Sequence, residues 1–97
     1  MAREGTEGNI YFQRLRMKIT LVAYAIIKEA FPENPLDYEI PEDTTATQLM
    51  ALLAEDFPEI AGILPYTRLG HQDDYVSKTA PLQAGNEYYL IPPVSGG

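Results

Sequence analysis

Ninety-seven residues, 45% of them hydrophobic, suffice for one small packed domain and are too few for a multidomain enzyme. The lack of cysteine excludes disulfide scaffolds, thiolate metal sites and thiol nucleophiles, and makes the cytoplasm the expected compartment. Seven basic against fourteen acidic residues give a net charge of -7, and the longest apolar run, Leu21 to Ile27, falls far short of the roughly 20 residues of a membrane span, so neither nucleic acid nor a membrane is an expected partner.

Residues 1–16 are rich in glycine and charge and show no strand or helix period. They contain Asn9-Ile10-Tyr11-Phe12-Gln13, similar to the Asn-Leu-Tyr-Phe-Gln of a tobacco-etch-virus protease site, and are expected to be an expression leader or extension. From Met17 onward four basic residues face twelve acidic ones. An acidic surface of this kind favours partners with basic surfaces.

Lys18 to Ala25 alternates Ile19, Leu21 and Ala23 against Lys18, Thr20 and Tyr24, which predicts a strand. Lys28 to Pro35, with two prolines and an asparagine, predicts a loop. Leu36-Asp37-Tyr38-Glu39-Ile40 alternates again and predicts a second, half-exposed strand. Thr45-Ala46-Thr47-Gln48 has the form of a capping box, in which each end residue satisfies a backbone N–H of the other. Leu49, Leu52, Leu53 and Phe57 then fall on one helical stripe, and Pro58 stops the helix.

Glu59 to Pro65 reads as a connector. Thr67 to His71 reads as a weak strand, Gln72-Asp73-Asp74 as a turn, and Tyr75-Val76 as a returning strand. After turn chemistry at Gly85-Asn86, Glu87-Tyr88-Tyr89-Leu90-Ile91 is the most strand-prone run and is expected to be central. One helix must cover the sheet, so the expected fold is α+β: a β-grasp, ubiquitin-like mixed sheet over residues 17–91 packed on one main helix. Residues 92–97 are a projecting tail, because Pro92 and Pro93 lack N–H donors and cannot join a sheet interior.

Catalytic constellations are scarce. His71 near Asp73 and Asp74 matches no metal-ligand spacing, so no metal site is expected. Glu55, Asp56 and Glu59 have no apolar surroundings that would suit acid–base chemistry and read as a solvated helix end. The distinctive feature is Pro92-Pro93-Val94-Ser95-Gly96-Gly97: a stiff spacer followed by glycines that can thread a narrow channel and leave a carbonyl open to attack. Alternation along the last strand aims Tyr88 and Leu90 at the helix and turns Tyr89 and Ile91 outward, where Tyr24 can join them as a partner-docking patch beside the tail.

Leu90 to Gly97, together with the Pro81-Leu82 and Gly85-Asn86-Glu87 stretches, resembles the MoaD/ThiS family of ubiquitin-like sulfur carriers, and within it the small subunit of molybdopterin synthase. The resemblance implies that a MoeB-like, E1-type enzyme uses ATP to adenylate the Gly97 carboxylate. A persulfide sulfur then replaces the AMP to give a thiocarboxylate. It further implies that the tail enters a MoaE-like large synthase subunit and passes sulfur to cyclic pyranopterin monophosphate. On this reading the chain binds no cofactor itself and is not catalytic alone. The alternatives are a ThiS-like or tRNA-thiolation sulfur carrier and a ubiquitin-like protein modifier.

Overall fold

The computed structural model describes residues 15–94. In chain order its elements are β1 (Arg16–Ala23), α1 (Ala25–Ala30), β2 (Leu36–Pro41), α2 (Ala46–Asp56), β3 (Arg68–His71), β4 (Asp74–Tyr75) and β5 (Glu87–Ile91), with single 3-10 turns at Pro58–Ile60 and Leu64–Tyr66. The five strands form one sheet in the order β2-β1-β5-β3-β4. β5 is central, parallel to β1 from Thr20↔Glu87 to Ala23↔Leu90 and antiparallel to β3 from Arg68↔Ile91 to Gly70↔Tyr89. This mixed sheet on one main helix is the β-grasp architecture.

The core follows the alternation in the sequence. Met17, Ile19, Leu21 and Ala23 of β1 and Tyr88 and Leu90 of β5 are buried, and they meet Leu49 and Leu53 of α2 together with Ile40 and Leu64. Tyr88 can lie inside because its hydroxyl accepts from the Gln83 N–H at 2.9 Å, so that buried oxygen is paired. Helix α2 begins where the capping box requires: the Gln48 N–H donates to Thr45 Oγ1 at 3.2 Å and the Thr45 N–H to Gln48 Oε1 at 3.0 Å. Its last turn is capped by Phe57, directly before Pro58. Gly85 takes φ 81° in the turn before β5, a conformation open to glycine without strain.

Three boundaries differ from the sequence expectation. β1 starts at Arg16, before the expected strand start at Lys18, and the Arg16 guanidinium donates to the Glu39 carbonyl at 3.1 Å. β1 also ends at Ala23 instead of running to Ala25. There the Asn34 side chain takes both backbone groups of Ala23, accepting from its N–H at 2.9 Å and donating to its carbonyl at 3.0 Å, which ends the ladder as another strand would have continued it. Ala25 then adopts φ 55°, and residues 25–30, expected to divide between strand and loop, form α1. Ile27 of α1 is fully buried, and Phe31 just beyond packs on Phe57 with ring centroids 4.8 Å apart. The third difference is Asp74, which pairs with His71 as the first residue of β4 and leaves Gln72-Asp73 as the turn.

Tyr38 of β2 ties the sheet to the end of α2 by donating to Asp56 Oδ2 at 2.5 Å. Burial, then the hydrogen bond to Asp56 and that carboxylate's charge, push the Tyr38 phenol well above its ordinary value. The folded state therefore keeps the neutral phenol where the unfolded chain ionises. The associated stability is complete below about pH 10 and declines as pH rises further. Chemical denaturation between pH 9 and 11.5 should show this decline, and Tyr38→Phe should flatten it; an unchanged slope in Tyr38→Phe would assign the decline to other groups.

Candidate functional site

The central strand delivers the tail. Ile91 is the last paired residue of β5, opposite Arg68, and beyond it Pro92 is half-buried, Pro93 is exposed and Val94 is 90% exposed. Neither proline can donate to a neighbouring strand, so the ladder stops and the chain leaves the sheet between β1 and β3. Ser95, Gly96 and Gly97 lie outside the described residues.

The surface beside this exit is the sheet face turned away from α2. Across four strands the register sets Val22, Tyr89, Gly70 and Tyr75 side by side. Tyr24 is not part of β1 but the residue before α1, and it is 46% exposed. Its ring nonetheless lies over Tyr89, with centroids 6.4 Å apart and planes at 26°. Tyr89 and Ile91 are half-buried, as outward-facing residues of a central strand flanked by aromatic neighbours must be. The Tyr89 hydroxyl donates to Glu87 Oε1 at 2.7 Å; that bond and the Glu87 charge raise its pKa above the ordinary phenol value.

Gly70, Tyr75 and Arg68 complete the surface and were not singled out by sequence reasoning. With no side chain on Gly70, a depression of about 570 Å³ opens between Tyr24, Tyr75, Tyr89 and Ile91. A methyl group at position 70 would stand 3.3 Å from Ile91 Cδ1 and would partly fill it. The Arg68 guanidinium sits 3.7 Å above the Tyr75 ring centroid, a cation–π contact that holds both side chains at the sheet edge. A glycine inside a short strand was the available signal, since it often marks a close approach or a binding surface.

The remaining polar residues have structural placements. His71 Nδ1–H donates to the Glu87 carbonyl at 3.0 Å and the ring lies against Tyr88, bracing β3 on β5. Asp73 and Asp74 are exposed on the hairpin, and Glu55 and Glu59 are exposed near the end of α2. Among the described residues no three His, Asp or Glu side chains converge as a metal site would require, and no helix is long and apolar enough to cross a membrane. Pro92 to Val94 thus leave the sheet beside an aromatic surface made by Tyr24, Tyr75 and Tyr89.

Comparison with known proteins decides the family. The ThiS family profile matches residues 24–97, from Tyr24 through both terminal glycines. The chain belongs to the ThiS family. This ThiS-family chain is 26% identical over 80 residues to the molybdopterin synthase sulfur carrier subunit of Dictyostelium discoideum, a match spanning 79% of this chain and 93% of that one. Among solved structures, small archaeal modifier protein 1 of Haloferax volcanii has the same fold at a TM-score of 0.67 and 15% identity, covering 80% of this chain and 99% of that one. A chain in a complex of subunits 1 and 2 of the molybdopterin-converting factor of Helicobacter pylori matches at a TM-score of 0.51 and 24% identity, covering 84% of this chain and all of that one.

Proposed function

We propose that this chain is the sulfur carrier of a molybdopterin synthase, with the Gly97 carboxylate as the group that is activated and loaded. The observation that carries this reading is the placement of the tail. Pro92 to Val94 leave the central strand beyond Ile91 with Pro93 and Val94 exposed, and the family match extends on to Gly97. The similarity to a molybdopterin synthase sulfur carrier subunit supports the acceptor class.

A free carboxylate is a poor electrophile, because expelling its oxygen would require an oxide leaving group. Adenylation with ATP by an E1-like enzyme turns that oxygen into part of AMP, with pyrophosphate released. A persulfide sulfur can then attack the carbonyl carbon as AMP departs, giving an acyl disulfide; a thiol of the sulfur-donating system then attacks the donor's sulfur, which leaves a thiocarboxylate on Gly97 and a disulfide on the donor side. The chain contributes reach and steric openness: Pro92-Pro93 carries the terminus away from the sheet, and Gly96 and Gly97 put no Cβ beside the reacting carbon.

In the large synthase subunit the thiocarboxylate would give its sulfur to cyclic pyranopterin monophosphate. Two such transfers build the dithiolene. The pterin pocket and its catalytic side chains belong to the large subunit, and the solved complex of subunits 1 and 2 supports a partner of that kind. Tyr24, Tyr89 and Ile91, with Gly70 and Tyr75 alongside, would form the docking surface that sets the tail's direction of approach.

Intact mass spectrometry tests the reading directly. After incubation with an adenylating enzyme, ATP and a persulfide donor, the protein should gain the mass difference of one oxygen replaced by sulfur, and it should then return to its starting mass in the presence of the large subunit and pterin substrate. Stable attachment to lysines of other proteins with no thiocarboxylate intermediate in sulfur transfer would favour protein modification, a reading that the small archaeal modifier neighbour makes specific.

A further inference from the structure

Asn34 stands in for a missing stretch of strand. β2 pairs with β1 only as far as Leu36↔Leu21, so the ladder on that side stops short of Val22 and Ala23. The Asn34 side-chain amide carries the same donor and acceptor as a peptide group and presents both to Ala23: Oδ1 accepts from the Ala23 N–H at 2.9 Å, and Nδ2 donates to the Ala23 carbonyl at 3.0 Å. On its other side the end of β1 is paired with β5, where Ala23 lies level with Leu90. The buried last residue of β1 is thereby held from both edges.

The next residue is Tyr24. Its backbone is still extended, at φ −129° and ψ 154°, and the chain turns only at Ala25, with φ 55°. α1 gives Tyr24 little support of its own: it has six residues, one of them buried, no side-chain hydrogen bond caps its start, and a helix that short is not stable alone. A turn bond from the Ile27 N–H to the Tyr24 carbonyl, at 3.2 Å, joins the two. The direction in which Tyr24 leaves the sheet is therefore set by the clamp on Ala23, and that direction decides where its ring falls. It falls over Tyr89, with centroids 6.4 Å apart and planes at 26°. We propose that Asn34 is a positioning residue for partner docking, acting through Ala23 to hold the Tyr24 ring over Tyr89 before the partner arrives. A surface assembled in advance loses less freedom on binding, so its affinity is higher. The proposal rests on the reading of Tyr24, Tyr89 and Ile91 as the docking surface for the large synthase subunit.

The test pairs Asn34→Asp with Tyr24→Ala in the full chain. Asn34→Asp keeps the shape of the side chain and the acceptor for the Ala23 N–H, but turns an oxygen toward the Ala23 carbonyl where a donor stood. In the free protein, nuclear Overhauser contacts between the Tyr24 and Tyr89 rings should weaken in Asn34→Asp, while the signals of Leu49 and Leu53 in the core stay in place. Affinity for the large synthase subunit should fall about fivefold in Asn34→Asp, and that loss should vanish when Tyr24→Ala is already present, since the two residues act as one unit. Undiminished ring contacts in Asn34→Asp would overturn the proposal. So would a fivefold loss that persists in the Tyr24→Ala background, because Asn34 would then act by a contact of its own or through the fold at large. If the unaltered chain does not bind the large subunit, the docking reading fails, and the ring contacts alone decide whether Asn34 places Tyr24.

Discussion

A chain ending at Gly96 should fold as the full chain does and take up no sulfur. Pro93 and Val94 already lie outside the core, and the thermal midpoint should be unchanged. Loading should fail completely, because the adenylating enzyme must place one particular carbonyl carbon against the α-phosphate of ATP, and a carboxylate one residue short misses that position. One residue added after Gly97 should fail in the same way. Gly96→Val should fold and load slowly, since a β-branched side chain restricts the conformations available to an extended terminus. Mass spectrometry of the three variants, beside their melting curves, reads both quantities. Full loading of the chain that ends at Gly96 would remove the Gly97 carboxylate from its proposed role.

Replacing Tyr89 and Ile91 together by serine should weaken association with the large synthase subunit by roughly 30-fold or more, which corresponds to about 2 kcal/mol for buried aromatic anchors at an interface. The expected stability cost is smaller, about 1 kcal/mol, because both residues point away from α2 and the helix-facing Tyr88 and Leu90 are untouched. Calorimetric binding of the folded variant and a denaturant titration separate the two effects. A collapse in stability with unchanged affinity of the folded fraction would make the outer face a structural layer. Gly70→Ala should show a smaller loss of affinity through the same surface, since its methyl group would press on Ile91.

Most of the core was legible because its signals repeat. The alternation in β1 and β5 and the stripe on α2 each offered several independent residues, and the capping box and Pro58 marked the helix at both ends. Helix α1 was not legible. It has only six residues, it continues the same apolar run as β1, and the break between them is made by Ala25 at φ 55° and by the distant Asn34 side chain, neither of which has a local sequence signature. The outward direction of Tyr89 and Ile91 followed from period-two alternation, whereas Gly70 and Tyr75 depended on the register of a hairpin whose second strand has two residues. A pattern that short cannot fix which residues share a face.

The position of β5 also determines how the molecule bears load. A partner that draws in the tail pulls along the axis of β5, which is hydrogen-bonded to β1 on one side and to β3 on the other. Such a pull acts in shear on both ladders together, so their bonds resist as a group, whereas a strand peeled from a sheet edge loses them one at a time. Had the tail followed β4, a two-residue strand at the edge, the same traction would unzip the sheet from its margin. A tail that continues the central strand is thus anchored through two ladders, where one that continued the edge strand would hang on a single short one.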